Sequence, residues 1–420
     1  MTYDEALNWI NQMPSFSSDR YGLEGVSKLL DSLKNPHLEL KYIHIAGTNG
    51  KGSTAVFCAS SLIEANFKTG LFISPYILDY RERIQINGEM ISENEFVEMI
   101  ELVKPYVETL KDEGVVCSHF DIITAVALKF FCINDCDIVV LETGMGGRLD
   151  STNVIPSPQI TILTHISYDH MKELGNSIED IAIEKAGILK KGSMCVCNGN
   201  QLPEVKNIIN STCIDKDIPL IYSYEANNIV NDDSVNKWNY NGVDYATKLI
   251  GKHQVSNAML AITALLNMGI SDCYIKKGIL NAYIPARLEK LSEKPLVVLD
   301  GAHNPDGMAA LNNSLKSFNK KPLIGLISML KTKDYKAALC EIKGTVDKLI
   351  VTQMNFDNVV EASLLFKVAD ELGFDVLIEK DISVAAKLAK KMAGEEGMVV
   401  VLGSLYFASQ VRSMFLKDGI

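Results

Sequence analysis

The stretch His44-Ile-Ala-Gly-Thr-Asn-Gly-Lys-Gly-Ser53 places three glycines, a lysine and two hydroxyls within ten residues. Such residues gather anions. An apolar strand-like run, YIHIA (42–46), precedes the glycines, and STAVFCASSLIEANF follows with a helical pattern. A glycine-rich turn between them aims backbone N–H groups and a helix N-terminus at one point, where phosphate is stabilised. Lys51 adds positive charge, and the Ser53 hydroxyl can reach phosphate or metal. The spacing differs from the commonest phosphate loop, G-x-x-x-x-G-K-[ST]. Ile45 stands where its first glycine belongs, Gly47 comes two residues late, and Gly52 separates Lys51 from Ser53. The bland alternative is an ordinary glycine-rich βα turn; three glycines and a lysine between strand and helix speak against it.

Five further groups could carry chemistry. Glu142 ends the run DIVVLE and is followed by Thr-Gly-Met-Gly-Gly-Arg-Leu-Asp-Ser-Thr-Asn-Val154. A carboxylate at the carboxyl end of a strand suits Mg²⁺ beside a substrate phosphate, or it caps the turn that follows. His165-Ile-Ser-Tyr-Asp-His170 also follows a strand, and His170 is a metal ligand or a structural histidine. Ser177 and Asp180 form a capping box, and Lys185 lies near the end of that helix, where the dipole favours a cation. Asn257, on the helix opened by Gly251-Lys-His-Gln-Val-Ser, could bond an adenine edge. In Asp300-Gly-Ala-His-Asn-Pro305, Asp300 could hold a ribose hydroxyl and His303 a phosphate. For these last two motifs a cap or turn is the alternative.

The elements that must position these groups read as α/β. Strand candidates are 42–46, 137–142, 159–164, 219–223, 296–300, 323–328, 348–352, 375–379 and 398–403. They are continuous β-branched runs separated by helices, the signature of parallel strands buried on both faces. The polar stretch 225–248, with Asn241-Gly242 at its turn, predicts a hairpin in a small subsidiary sheet. The segment 285–295 mixes proline with charge and reads as an interdomain linker. At 420 residues the chain exceeds one ordinary core. The expected domains are thus 1–284 and 296–420. A net charge of −11 argues against bulk nucleic-acid or anionic-membrane binding. The start MTYDEALNWINQM lacks the basic and apolar regions of a signal peptide. Nine scattered cysteines show no histidine at zinc spacing and read as reduced thiols of a cytosolic protein.

Taken in order, GTNGKGS (47–53), SP (74–75), ERIQING (82–88), GGRLDSTNVI (146–155), DH (169–170), LGNSIEDIAIEKAGI (174–188), HQVSNA (253–258) and DGAHNP (300–305) resemble the Mur ligase family. Within it the chain is most similar to the folylpolyglutamate/dihydrofolate synthase branch, from about Tyr21 to Tyr406. The resemblance implies a P-loop-type ATPase domain with a small subsidiary β-sheet, then a smaller Rossmann-like glutamate ligase domain. It implies ATP-dependent amide formation between L-glutamate and a folate or dihydropteroate carboxylate, through an acyl phosphate, by a cytoplasmic monomer.

The same resemblance assigns Gly47, Thr48, Asn49, Gly50, Lys51, Gly52, Ser53, Asn257, Arg287 and Asp300 to ATP. Ser74, Glu142, His170 and Lys185 go to two Mg²⁺ ions, Lys185 after carbamylation. Ser118, His119, Phe120, Asp121, Leu149, Asp150 and Ser151 would line the pterin or pteroate site, and Ser404 the glutamate site. Lys51, Asp150, His170, Lys185 and His303 would serve catalysis. Three positions depart from the family pattern: Gly25 where arginine is common, Tyr76 where histidine follows Ser-Pro, and Ala286 in a Pro-Gly-Arg linker motif. The first two fall where folate is expected. Two other readings stand beside this one. A peptidoglycan-type amino-acid ligase would carry an N-terminal UDP-binding domain, which this sequence lacks. A non-catalytic nucleotide-binding protein would dispense with Lys51, Glu142, His170 or Lys185, yet all are present.

Overall fold

The computed structural model describes residues 1–14, 22–231 and 234–417. Tyr21, where the resemblance begins, and residues 232–233 of the polar stretch lie outside the described residues. Two compact units emerge, Met1–Ala226 with Ser256–Ala282, and Asn227–Val255 with Tyr283–Ile420.

The first unit is built on eight strands: β1 Tyr42–Ala46, β2 Thr69–Phe72, β3 Ile84–Ile86, β4 Glu89–Met90, β5 Ile138–Glu142, β6 Ile160–Leu163, β7 Met194–Asn198 and β8 Leu220–Ser223. They lie in the order β4-β3-β2-β5-β1-β6-β7-β8. From β2 to β8 neighbours are parallel, while β3 and β4 close one edge antiparallel. Every residue of β1 and β5 is buried, as continuous apolar runs require when helices cover both faces. Helices Glu24–Ser32, Glu93–Asp112 and His119–Ile133 contribute to one apolar cluster; Ile178–Ala186 and Pro203–Asp215 contribute to another.

Helix Lys51–Glu64 buries most of its length, which explains why its sequence is apolar nearly all round. Its partner is helix Asp272–Asn281, against which it packs at very short range. Gly278 makes that approach possible, since a Cβ there would lie 2.3 Å from the Ser61 Cα.

The second unit carries β9 Val230–Asn231, β10 Asn236–Tyr240, β11 Val243–Thr247, β12 Glu289–Glu293, β13 Leu296–Leu299, β14 Leu323–Ile327, β15 Lys348–Val351, β16 Val376–Ile378 and β17 Met398–Leu402. The first three form a small antiparallel sheet, ordered β11-β10-β9. Asn241 and Gly242 both take positive φ, 50° and 81°, giving the hairpin its tight turn. The other six form a sheet ordered β12-β13-β17-β14-β15-β16, parallel except at β12.

All nine expected strand runs are strands in the structure. Several others carried no clear signal. Strand β2 includes Gly70, required because a Cβ would strike the Phe131 ring at 2.9 Å. Strand β7, MCVCN, lacks a long branched run. The 285–295 segment, expected as a linker, contains edge strand β12, whose polar alternation disguises it. Residues 227–255, expected with the first domain, cluster with the second compact unit, where Ile250 joins the apolar core beside Leu288 and Leu296 and Gly251 comes close to Ser314. Among the described residues no helix is long and apolar enough to cross a membrane.

Gly278→Ala should lower stability by about 1–3 kcal/mol through overpacking. Equilibrium denaturant unfolding measures this; an unchanged midpoint would show that the two helices separate without cost.

Candidate functional site

Four neighbouring strands, β2, β5, β1 and β6, end at one edge of the first sheet. Parallel neighbours lie roughly 5 Å apart, so the loops that leave them share one crevice. This is where open α/β sheets bind ligands.

The loop after β1 is held by backbone and side-chain bonds. Thr48 and Asn49 N–H groups donate to the His165 carbonyl at 2.8 and 3.3 Å. The Thr48 hydroxyl donates to the Ser167 carbonyl at 2.9 Å and accepts the Ser167 N–H at 3.0 Å. Gly50, at φ 90°, precedes the helix and has no side chain to cap it. The first-turn N–H groups of Lys51, Gly52 and Ser53 therefore have no intrahelical acceptor. Asn257, expected at adenine, sits against this turn: a Cβ on Gly50 would lie 2.2 Å from its Oδ1. Ser53 is buried, and the glycines bring backbone close to Thr164 and Asn257.

Two lysines converge on Gly47. Lys51 Nζ donates to the Gly47 and Thr48 carbonyls, each at 3.2 Å. Lys185 Nζ, on a side chain only 4% exposed, donates to the same Gly47 carbonyl at 2.8 Å. Helix Ile178–Ala186 reaches this position because glycines 147 and 187 let it dock on the turn after β5. A Cβ on Gly147 would meet the Glu184 carbonyl at 2.7 Å, and one on Gly187 would meet Arg148 at 2.3 Å. The expected capping box is present, with Asp180 N–H donating to Ser177 Oγ at 3.1 Å.

Glu142, at the end of β5, is buried and accepts the Ser74 N–H at 2.9 Å. His170 stands on the loop after β6, exposed, with φ 51°, and Asp169 and Glu173 lie 4.0 and 3.9 Å from its ring nitrogens. Among the described residues no three His, Cys, Asp or Glu side chains form a ready-made cage. The Glu142 carboxylate and the Ser74 hydroxyl are oxygen donors of the kind Mg²⁺ prefers, beside waters and substrate phosphates, whereas the His170 imidazole is a nitrogen donor.

The expected pterin-site residues divide into two kinds. Asp150 is buried and its carboxylate organises its own turn. It accepts Thr152 N–H at 3.0 Å, Thr152 Oγ1 at 2.5 Å and Met145 N–H at 2.8 Å. Burial raises its pKa despite these bonds. Asp121 caps helix His119–Ile133 through Ser118 and accepts the Ser151 hydroxyl at 2.6 Å. Both carboxylates are taken up by the protein's own turns and caps. His119, Phe120 and Leu149 are only partly buried and provide the surface. His119 Nε2 lies 2.9 Å from the Tyr80 hydroxyl, and Phe120 packs on Phe72. Burial, then Arg83, lowers the His119 pKa to about 4, so the ring is neutral. Gly25 has a steric reason: a Cβ there would meet the Val116 carbonyl at 2.8 Å and Asp121 Oδ2 at 3.1 Å.

The second unit gathers its own candidates where β13 and β17 end. Asp300 accepts the N–H groups of Leu288 at 3.0 Å and Ala302 at 2.8 Å. Its carboxylate thereby fixes the neighbouring Arg287 segment. His303 Nδ1 donates to the Gly301 carbonyl at 2.8 Å, which leaves Nε2 as the acceptor in the neutral ring. Ser404 is buried at the start of helix Leu405–Lys417, and its hydroxyl accepts the Tyr406 N–H at 3.2 Å.

Sequence reading missed the residues that hold the loops still. Gln201 donates to the Thr164 carbonyl at 2.7 Å and accepts Ile166 N–H at 3.0 Å. His44 Nε2 lies 2.9 Å from Thr152 Oγ1, which in turn donates to Asp150. These side chains act on backbone or on one another, so no local pattern marks them.

Comparison with known proteins gives two family models. "Mur ligase middle domain" matches residues 45–265, and "Mur ligase, glutamate ligase domain" matches residues 286–405. A dihydrofolate synthase/folylpolyglutamate synthase of Bacillus subtilis is 36% identical over 427 residues, covering 98% of each chain. The Mycobacterium tuberculosis folylpolyglutamate synthase solved with ADP and AMPPCP superposes with a TM-score of 0.91 at 28% identity, over 99% of each chain. Escherichia coli FolC in complex with DHPP and ADP superposes at 0.87 and 26% identity, covering 100% of this chain and 99% of that one.

Complete burial lowers the His44 pKa to about 3, with Lys190 adding to the effect. The unfolded chain binds this proton near pH 6.5. The unfolded state therefore binds more protons between the two values, and stability is full above pH 6.5 and falls as pH drops toward 3. The loss attributable to His44 should be on the order of a few kcal/mol. Denaturant unfolding from pH 7 to 4 measures it. His44→Gln should flatten the slope; an unchanged slope would place the titration elsewhere.

Proposed function

The chain belongs to the Mur ligase family, on its folylpolyglutamate/dihydrofolate synthase branch, and we propose that it joins L-glutamate to a folate carboxylate at the expense of ATP. Dihydropteroate is a second acid substrate of the same site. The observation that carries this reading is the convergence of Lys51, Lys185 and an uncapped helix N-terminus beside buried Glu142.

In the first step a carboxylate oxygen of the acid attacks the γ-phosphorus of ATP. The O–P bond forms, the β–γ anhydride bond breaks, and ADP leaves. In the second step the neutral amine of glutamate attacks the acyl carbon. The C–O bond breaks, inorganic phosphate leaves and the amine proton is lost to solvent. A free carboxylate resists the amine because it is anionic and its oxide is a poor leaving group; phosphorylation removes both obstacles.

The chain's own residues supply positioning and charge. The N–H groups of Lys51, Gly52 and Ser53 and the Lys51 ammonium cradle the phosphates. Lys51 meets the charge developing on the transferring phosphoryl group. Asn257 braces the phosphate loop, and Arg287 and Asp300 contact the rest of the nucleotide. Ser74, Glu142 and His170 would hold Mg²⁺, which would neutralise phosphate charge. Lys185, once carbamylated, would offer oxygen to a second ion. His119, Phe120 and Leu149 face the pterin, while Asp121, Asp150 and Ser151 shape its pocket. His303 and Ser404 orient the incoming glutamate.

Purified protein should incorporate labelled L-glutamate, with ATP, into both dihydropteroate and a reduced folate monoglutamate. Lys51→Ala should lower kcat by on the order of 10²–10³. Incorporation into the folate alone would limit the enzyme to polyglutamylation. Incorporation into neither, with ATP bound, would return the chain to the amino-acid-ligase or simple nucleotide-binding readings.

A further inference from the structure

The segment between β2 and β3 is dense in charge, and nearly all of it is accounted for. Arg81 pairs with Asp79 at 2.7 Å, and Asp79 also accepts the Tyr3 hydroxyl at 3.4 Å. Glu82 accepts the N–H groups of Ile77, Leu78 and Asp79 at 2.7, 2.8 and 3.0 Å, which folds the loop. Arg83 is the exception. Its residue is 8% exposed, its Nε is buried without an acceptor, and its side chain makes no ion pair or hydrogen bond among the described residues. Its guanidinium carbon lies over two aromatic rings instead, 5.3 Å from the Tyr76 centroid and 5.2 Å from that of Tyr80.

The rings attract the charge but offer its N–H groups no in-plane acceptor. A buried N–H such as that of Nε, left without an acceptor, is costly unless a ligand completes it. Its position says which anion. The Arg83 carbonyl accepts the Ile73 N–H at 3.2 Å, and the next residue, Ser74, is bonded to Glu142. The Arg83 backbone is thus fixed one residue from the Ser74–Glu142 contact at the strand ends. Lys51, not Arg83, stands at the phosphate loop. Around Arg83 are Tyr76, Tyr80 and, through the Tyr80 hydroxyl, His119. Aromatic walls with one forked cation match a planar aromatic body bearing a carboxylate, which guanidinium binds through two parallel bonds.

We infer that Arg83 is the residue of the acid-substrate pocket that recognises the aryl carboxylate of dihydropteroate, and that Tyr76 and Tyr80 hold its fork in place. This assignment rests on the folate-ligase reading. It also gives Tyr76 a role, as a ring that steadies Arg83.

The test is equilibrium fluorescence titration, without ATP, of pteroic acid and its methyl ester. Wild type should prefer the acid by roughly 10- to 100-fold, the range of a charge-assisted bond. Arg83→Met keeps the stem's volume and should bind acid and ester alike, with ester affinity unchanged. Arg83→Lys keeps charge without the fork and should retain part of the preference. KM for ATP should not move in either variant. Equal weakening of acid and ester in both variants, or an undiminished acid preference, would overturn the assignment while glutamate incorporation by wild type stands. Wild type that binds neither probe and incorporates no glutamate would overturn the folate reading, and this assignment with it.

Discussion

The carbonyl oxygen of Gly47 receives two ammonium groups, and the rest of the first unit is arranged so that it can. Two like charges near each other repel by about 4 kcal/mol at 4 Å in partly solvated protein. The carbonyl dipole between them offsets part of that. Keeping it there requires Gly47 at φ 153°, where a Cβ would fall 1.8 Å from Thr164 Oγ1. It also requires the straps from Thr48 and Asn49 to His165 and Ser167, and glycines 147 and 187 to admit the Lys185 helix. Two ammonium groups thereby meet at one carbonyl in a chain whose net charge is −11.

The same logic recurs with opposite sign among the carboxylates. Asp121, Asp150 and Asp300 each accept two or more bonds from nearby N–H or hydroxyl groups. Each looked like a ligand-binding group in the sequence, and each in the structure first organises a turn. A carboxylate at a strand end has both uses, because the uncapped N–H groups that need it lie where substrates bind. Glu142 differs in taking its N–H from a neighbouring strand's loop, so it ties β5 to the turn after β2.

Much of this was legible beforehand. The nine strand runs and the phosphate loop stand out because burial on both faces and φ > 0 leave strong residue-type signals. Ser177 with Asp180 and Asn241 with Gly242 show themselves for the same local reason. The small sheet's grouping with the second unit did not show, because it follows from Ile250 packing beside Leu288 and Leu296, residues distant in sequence, rather than from the sheet's own pattern. Nor did the roles of His44, Gln201 and Arg83. Their partners are distant in sequence, and a side chain that serves a carbonyl or an aromatic face leaves no periodicity behind.

Asn257 against Gly50 has a consequence for how the protein is made. The first unit is discontinuous in sequence: the chain leaves it at Ala226 and returns at Ser256. The brace for its phosphate loop, and the Gly278 helix that backs that loop's own helix, are both in the returning piece. A nascent chain exposes the loop early but cannot complete it until that piece has left the ribosome. Until then helix Lys51–Glu64, buried over most of its length in the finished unit, leaves part of that surface uncovered. Such surface aggregates when exposed, and contacts so far apart in sequence form slowly. The phosphate loop comes first in the gene and is among the last parts of its unit to be finished.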